Sequence, residues 1–395
     1  MRLVAFALGA LLLGSCATTP TSRGDLHASL LTLDTHLDTP VHFARAGWSF
    51  GERHDYANDL AQLDLPRMAD HGNLDGGFFV IFTNQGPLTV EGYAAARDFA
   101  LKRSDEIDAT ITRFSDRIGP ALTPADATRL DAADKLIAFK SIENSYPLGE
   151  DLSLLGEFYR RGVRLAGPVH SSNNQFADSA TDKPRWNGLS PLGVRWVTEM
   201  NRLGMVIDAS HASDAAFDQM LTLSKTPLLL SHSGSRGVFD HPRNIDDARI
   251  RKLAAAGGAI CFTTIYLSDL NMTAERAEVF GKHDEIGAMS PVEQADLTRR
   301  TRALDATQSM WKTDFDAYMA GLLHVIDVAG VEHVCFGADW DGGGGIAGLE
   351  DITAHSKITA ALKAAGYSDA DLAKMWSSNV LRILRAAEDN VASSR

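Results

Sequence analysis

Leu31-Thr-Leu-Asp-Thr-His-Leu-Asp-Thr39 is an apolar run that ends in an imidazole and a carboxylate two positions apart. Read as a strand, it projects His36 and Asp38 from the same side, because side chains alternate faces with a period of two. A nitrogen donor and an oxygen donor at one strand end make half of a zinc site. Taken alone, the stretch reads more simply as a strand and a turn, with Asp38 capping the Thr39-Pro40 loop. The same pattern recurs further along the chain, and the recurrence decides the fold.

Apolar runs ending near His36 and spanning residues 77–82, 136–143, 162–170, 204–211, 227–232, 257–263 and 333–339 make eight strand candidates. Residues 191–203, 212–223 and 313–329 have helical apolar spacing, and 245–256 follows a turn built on Pro242. Strands alternating with helices imply parallel pairing, and eight such units imply an α/β fold closed as a (β/α)8 TIM-type barrel. The longest excursion, residues 264–312 between the seventh and eighth strands, is too long for a plain loop and is expected to place helices over the barrel mouth. There is no internal repeat and no low-complexity linker.

Met1-Arg2 and the apolar residues 3–13 have the layout of a secretory signal, too short to span a bilayer. The run ends Leu13-Gly14-Ser15-Cys16, which resembles a bacterial lipoprotein processing site. The expected organisation is a signal peptide over 1–15, a tether over 16–27 lipidated at Cys16, and one catalytic barrel over 28–390. Ala17 behind the cysteine points to the periplasmic face of the outer membrane. No second long apolar segment exists, so membrane contact is expected through the anchor alone. With 38 basic against 51 acidic residues, the net charge of −13 argues against a nucleic-acid partner. Cys261 and Cys335 sit in apolar runs and read as buried core thiols rather than as a pair.

In (β/α)8 barrels chemistry gathers at the C-terminal ends of the strands. His36, Asp38, Glu143, His170, His211, His232 and Asp339 all fall there. One such residue reads as a core or capping group; the set reads as a metal centre. Imidazole and carboxylate suit zinc, and Glu143 could bridge two ions. The remaining signals are weaker. Asp341 is a second-choice acid, Ser231 and Ser233 have no nucleophile-elbow spacing, and the glycines from Gly343 to Gly348 read as a loop beside the site rather than a dinucleotide fingerprint. His42, His54, His71, His241 and His355 read as loop or surface residues, with His241 close enough to Arg243 to shape a pocket.

Glu199-Met-Asn-Arg-Leu-Gly-Met-Val-Ile-Asp-Ala-Ser-His211, Leu230-Ser-His-Ser233, Asp240-His-Pro-Arg-Asn244 and Gly337-Ala-Asp-Trp-Asp-Gly342 closely resemble the membrane (renal) dipeptidase family of metallopeptidases, over roughly residues 28–390. The resemblance implies a (β/α)8 barrel with two zinc ions per chain. It implies that His36 and Asp38 hold one ion, His211 and His232 the other, and Glu143 bridges them. It further implies that His170 meets the substrate carbonyl oxygen, Arg243 receives the terminal carboxylate, and Asp339 is the acid/base. Two stretches depart from the family pattern: Asn144-Ser145-Tyr146 stands where glycines are common, and Ala166-Gly-Pro-Val169 replaces a Thr-containing run. Both bear on the shape of the substrate pocket.

Two zinc ions sharing a water lower its pKa and polarise a carbonyl, so the expected reaction is attack by a metal-bridging hydroxide on a dipeptide, extending to those with a C-terminal D-residue. Arg243's planar fork suits a carboxylate, and it reads equally as a turn residue pairing with Asp240 or Asp246. Two other classes stay open: hydrolysis of a lactam, lactone or acyl-amino acid in the same metal barrel, and a non-enzymatic binding lipoprotein. A homodimer is also left open.

Overall fold

A computed structural model describes residues 26–393, so Cys16 and the leader lie outside the described residues. The strands are β1 (Leu33–Leu37), β2 (Gly76–Phe82), β3 (Ile118–Pro120), β4 (Leu136–Glu143), β5 (Val163–Ala166), β6 (Val206–Ile207), β7 (Leu229–Ser233), β8 (Ala259–Phe262) and β9 (Val334–Phe336). They run parallel in the orders β1-β2-β4-β5-β6 and β7-β8-β9. Parallel bridges Asp208 to Leu229 and Leu37 to Trp340 join the two sheets at both seams, so the eight expected strands curl into the (β/α)8 ring.

β3 is an addition that the sequence did not suggest. It pairs with residues 136–138 of β4. Because β2 occupies the other edge of β4 throughout, β3 takes the edge that β5 uses further along, at 140–142. A three-residue strand ending in Pro120 carries too little apolar periodicity to be read.

Every residue of β1 and β4 is buried. Strands covered on one face by the barrel interior and on the other by helices need continuous apolar runs rather than alternation, which is why they are so visible in the sequence. Phe139 shares Glu143's face and stacks on Phe78 at a ring-centroid separation of 4.8 Å, flooring the barrel beneath the polar ends. A Cβ on Gly77 would lie 2.3 Å from Asp34 O, so only glycine lets β1 and β2 approach this closely. At the β1/β9 seam, the buried Asp34 carboxylate accepts from His36 N (2.8 Å) and Ala338 N (3.0 Å). Burial outweighs these bonds and pushes its pKa up to about 7.

The helices Pro191–Leu203, Asp214–Leu223, Asp247–Ala255 and Phe315–Ala329 follow the periodic segments of the sequence. Within the excursion, Ala274–Gly281 and Pro291–Thr307 are helices, the second started by a Ser290/Glu293 capping box with Pro291 in the first turn.

Three sequence expectations are corrected. Cys261 and Cys335 are buried, but they form a disulfide: β8 and β9 put them opposite each other in register, a proximity hidden by a separation of 74 residues. His42 is buried with Nε2 3.2 Å from Asp341 Oδ1. His355 is 1% exposed, with Nδ1 3.1 Å from Asn73 O and Nε2 accepting from Trp340 Nε1 at 3.2 Å. Loop position in the sequence did not reveal that both pack under the barrel's polar rim. No helix among the described residues is long and apolar enough to cross a membrane.

Candidate metal centre

Side chains leaving the C-terminal ends of β1, β4, β6, β7 and β9 converge on one buried point. Glu143, the last residue of β4, stands at its middle. Its Oε2 lies 3.4 Å from His36 Nε2, while its Oε1 lies 2.8 Å from His211 Nε2 and 3.4 Å from His232 Nε2. His36 Nε2 is also 3.3 Å from Asp38 Oδ2 and 3.7 Å from Asp339 Oδ1. Two groups of potential ligands therefore share Glu143: His36 with Asp38, and His211 with His232. A third grouping joins His36, His232 and Asp339.

The residues fit metal ions. His36 Nε2 is buried without a hydrogen-bond partner among the described residues. His211 Nε2 and His232 Nε2 face each other at 2.9 Å, both imidazoles held neutral because burial, aided by the Arg243 charge, keeps their pKa well below the ordinary value. Neutral imidazole and carboxylate oxygen are the donor set of zinc and similar cations. Space is reserved as well: a Cβ on Gly342 would lie 2.2 Å from Asp38 Oδ2 and 2.5 Å from Asp339 Oδ1.

Asp208 and Ser231 orient these ligands. Ser231 Oγ donates to Asp208 Oδ2 (2.5 Å) and lies 2.8 Å from His232 Nδ1. With the hydroxyl proton committed to the carboxylate, His232 Nδ1–H donates to Ser231, which leaves its Nε2 lone pair facing Glu143. Ser231 N and Ser210 N also donate to Asp208 Oδ1, both at 3.0 Å. The sequence reading assigned Asp208 no role. A carboxylate inside an apolar strand-like run was the available signal.

The carboxylates divide electrostatically. Burial disfavours a charge on Glu143, yet the surrounding imidazoles of His36, His170, His211 and His232 hold it well below the usual carboxylate range. Asp339 goes the other way: burial, offset in part by His36, combines with the Asp38 and Glu143 charges to push it well above that range. Asp339 sits at φ +63°, where Asp is tolerated, and this turn after β9 aims it back at the centre. Asp341 is spent structurally, accepting from Thr39 Oγ1 (2.6 Å) and Gln62 N (2.7 Å). Gly343 lines the cavity and opens no helix.

His170 lies on the loop after β5, its Nε2 3.7 Å from Glu143 Oε1 and its side chain 31% exposed to the cavity. That loop is tied down where the sequence departs from the family pattern. Asn144 takes φ +69°, a conformation it tolerates in place of glycine, and its Oδ1 accepts from Tyr146 N (3.2 Å) and Asn174 Nδ2 (3.0 Å). Ser145 Oγ donates to Gly167 O at 2.8 Å. Arg243 is buried beside the centre and pairs with neither Asp240 nor Asp246. Its Nη1 donates to Ser210 O and to Ser233 Oγ (3.1 Å), its Nη2 donates to His232 O (2.9 Å), and its Nε is buried without a partner among the described residues. No carboxylate of the described residues is within ion-pair distance of it.

Asp38, Glu143, His170, His211, His232 and Asp339 open into a cavity of about 960 Å³. The excursion walls it with Tyr266, Met272 and Trp311 from its loops and Phe280 from the helix Ala274–Gly281, while the helix Pro291–Thr307 contributes no lining residue. His241 stacks on Tyr266 at 4.2 Å, which fits the pocket-shaping position read from the sequence.

Residues 22–395 match the family described as membrane dipeptidase, peptidase family M19. Dipeptidase tcpJ of Claviceps purpurea is 29% identical over 372 residues, covering 92% of this chain and 78% of that one. Dipeptidase verJ of Clonostachys rogersoniana is 30% identical over 376 residues, covering 92% and 86%. Among solved structures, the probable dipeptidase PvdM from Pseudomonas aeruginosa superposes with a TM-score of 0.78 at 28% identity, covering 92% of this chain and 97% of that one. A metallo peptidase from Rhodobacter sphaeroides, liganded with a phosphinate mimic of L-Ala-D-Ala, shares the fold with a TM-score of 0.71 at 23% identity over 91% and 99%.

Proposed function

Because the chain belongs to the membrane dipeptidase family, we propose that it hydrolyses the peptide bond of free dipeptides with two zinc ions held around Glu143. The class of enzyme, a metal-dependent dipeptidase, comes with the family. The observation that carries the finer reading is Glu143 itself: its two oxygens face different ligand groups, one with His36, the other with His211 and His232. His36 and Asp38 would hold one ion and His211 and His232 the other. When bound, the pair would supply an acidified water and Lewis-acid polarisation of the scissile carbonyl.

The side chains would do the rest. Arg243 is a buried cation with an unused Nε and no carboxylate partner among the described residues, which supports capture of the substrate's C-terminal carboxylate. Fixing that carboxylate near the centre limits the substrate to two residues. It does not depend on the handedness of the second residue, and the cavity's volume supports acceptance of a D-residue there. His170, kept neutral by burial, would donate to the carbonyl oxygen as negative charge develops on it. Asp339, with its raised pKa, would accept a proton from the attacking water and pass it to the leaving amine.

A panel of L-Ala-L-Ala, L-Ala-D-Ala and their amides with zinc-loaded protein tests this reading. Cleavage of the free dipeptides but not the amides is expected. Failure on all of them by protein carrying two zinc ions would shift the reading to a lactam, lactone or acyl-amino acid.

The Leu13-Gly-Ser-Cys16 sequence further supports a lipid anchor at Cys16 and a place at the periplasmic face of the outer membrane. Cys16→Ser should leave the protein in the soluble fraction, and unchanged membrane association of that variant would remove the anchor.

A further inference from the structure

Two cations of one helix, Lys102 and Arg103, line the cavity, and the reaction uses neither. The helix Val90–Arg113 turns Gly92, Ala96, Phe99 and Arg103 towards it, the spacing of one helical face. The two small residues leave space, and Arg103 faces it. Arg103 is 8% exposed, its Cζ is 5.3 Å from the centroid of the Phe99 ring, and its Nε is 3.5 Å from Glu106 Oε2. Its Nη1 is buried with no hydrogen-bond partner among the described residues. Glu106 cannot satisfy it fully, since Glu106 Oε1 is taken by Lys102 Nζ at 2.9 Å. A structural cation held by Phe99 and Glu106 leaves Nη1 unexplained, whereas an unpaired donor on a residue that lines a ligand cavity can gain an acceptor when a ligand binds.

The two arginines stand on different sides. Arg243 is bonded to Ser210, His232 and Ser233, on the β6–β7 side. Arg103 belongs to the helix packed against β2, and Asp38, after β1, is near enough to act on its charge. In strand order β4, which ends in Glu143, lies between those two sides, so a substrate anchored by its C-terminus at Arg243 would extend its first residue towards Arg103.

We propose that Arg103 receives a carboxylate on the side chain of the substrate's N-terminal residue, making dipeptides that begin with Glu or Asp the preferred class. The inference rests on the dipeptidase reading and deepens it. It is tested by kcat/KM of the zinc-loaded full chain for L-Glu-L-Ala against its neutral isostere L-Gln-L-Ala, in wild type, Arg103→Met and Arg103→Lys. Wild type should favour L-Glu-L-Ala by roughly tenfold or more, the scale of a charge-assisted hydrogen bond. Arg103→Met should bring the ratio near one and Arg103→Lys restore part of it. The ratio is internal to each variant, so a general loss of active protein does not alter it. No preference in wild type, or a preference that survives Arg103→Met, overturns the inference and leaves the dipeptidase reading standing. A preference for L-Ala-L-Glu over L-Ala-L-Gln in its place overturns the assignment to the first residue. Cleavage of no dipeptide at all overturns the dipeptidase reading and this inference with it.

Discussion

Glu143 and Asp339 are both buried carboxylates within reach of His36, yet they are driven in opposite directions. The difference is one of partners: Glu143 is surrounded by imidazoles, whereas Asp339 faces Asp38 and Glu143. This separation suits one group to hold charge and the other to exchange a proton. Asp339→Asn should therefore keep the fold, since Asn also tolerates φ +63°, while lowering kcat by about 10²–10⁴. Steady-state kinetics alongside metal analysis checks it, and an unchanged kcat would remove Asp339 from proton transfer. At this scale the sequence was most informative about residues ending long apolar runs, such as His36, Glu143 and His232. It was silent on Asp208 and Arg103, whose roles depend on what lies across the barrel or across the cavity. For Arg243 it left two readings, and the absence of pairing with Asp240 or Asp246 disfavours the turn.

The strands most legible in the sequence are those buried on both faces. β3, three residues long, and β6, reduced to Val206–Ile207, show the limit, because pairing there is set by neighbours rather than by apolar pattern. The Cys261–Cys335 bond was missed for the same reason, strand adjacency across 74 residues. The helix His355–Ala364 illustrates a different blind spot. Its first residue, His355, is buried against Trp340, and burial pushes its pKa down to about 3. An unfolded histidine titrates near 6.5. Between those values the unfolded chain binds the extra proton, so the stability from neutral His355 is present above pH 6.5 and is lost as pH falls. The loss should run at about 1.4 kcal/mol per pH unit for this group. Denaturant unfolding at pH 7 and pH 5 should show it, with His355→Gln, which can still donate and accept, reducing the pH slope by about that amount. An unaltered slope would place the acid sensitivity elsewhere.

Across the whole molecule, both strands of each seam contribute to the centre: β1 and β9 bring His36, Asp38 and Asp339, while β6 and β7 bring His211 and His232. Closing the barrel therefore assembles the site, and Glu143 from β4 reaches both halves. The excursion then roofs it, which sequence length alone implied but whose lining, Tyr266, Met272, Phe280 and Trp311, it did not reveal. The central claim is a two-ion centre joined by Glu143. Its most direct measurement is titration of metal-free protein with zinc, following bound metal and L-Ala-L-Ala hydrolysis together, in wild type and Glu143→Ala. Wild type should bind two ions per chain with activity reaching its plateau at the second, and Glu143→Ala should lose both metal and activity. A plateau at one ion, or a Glu143→Ala protein with full zinc and wild-type rate, would contradict it.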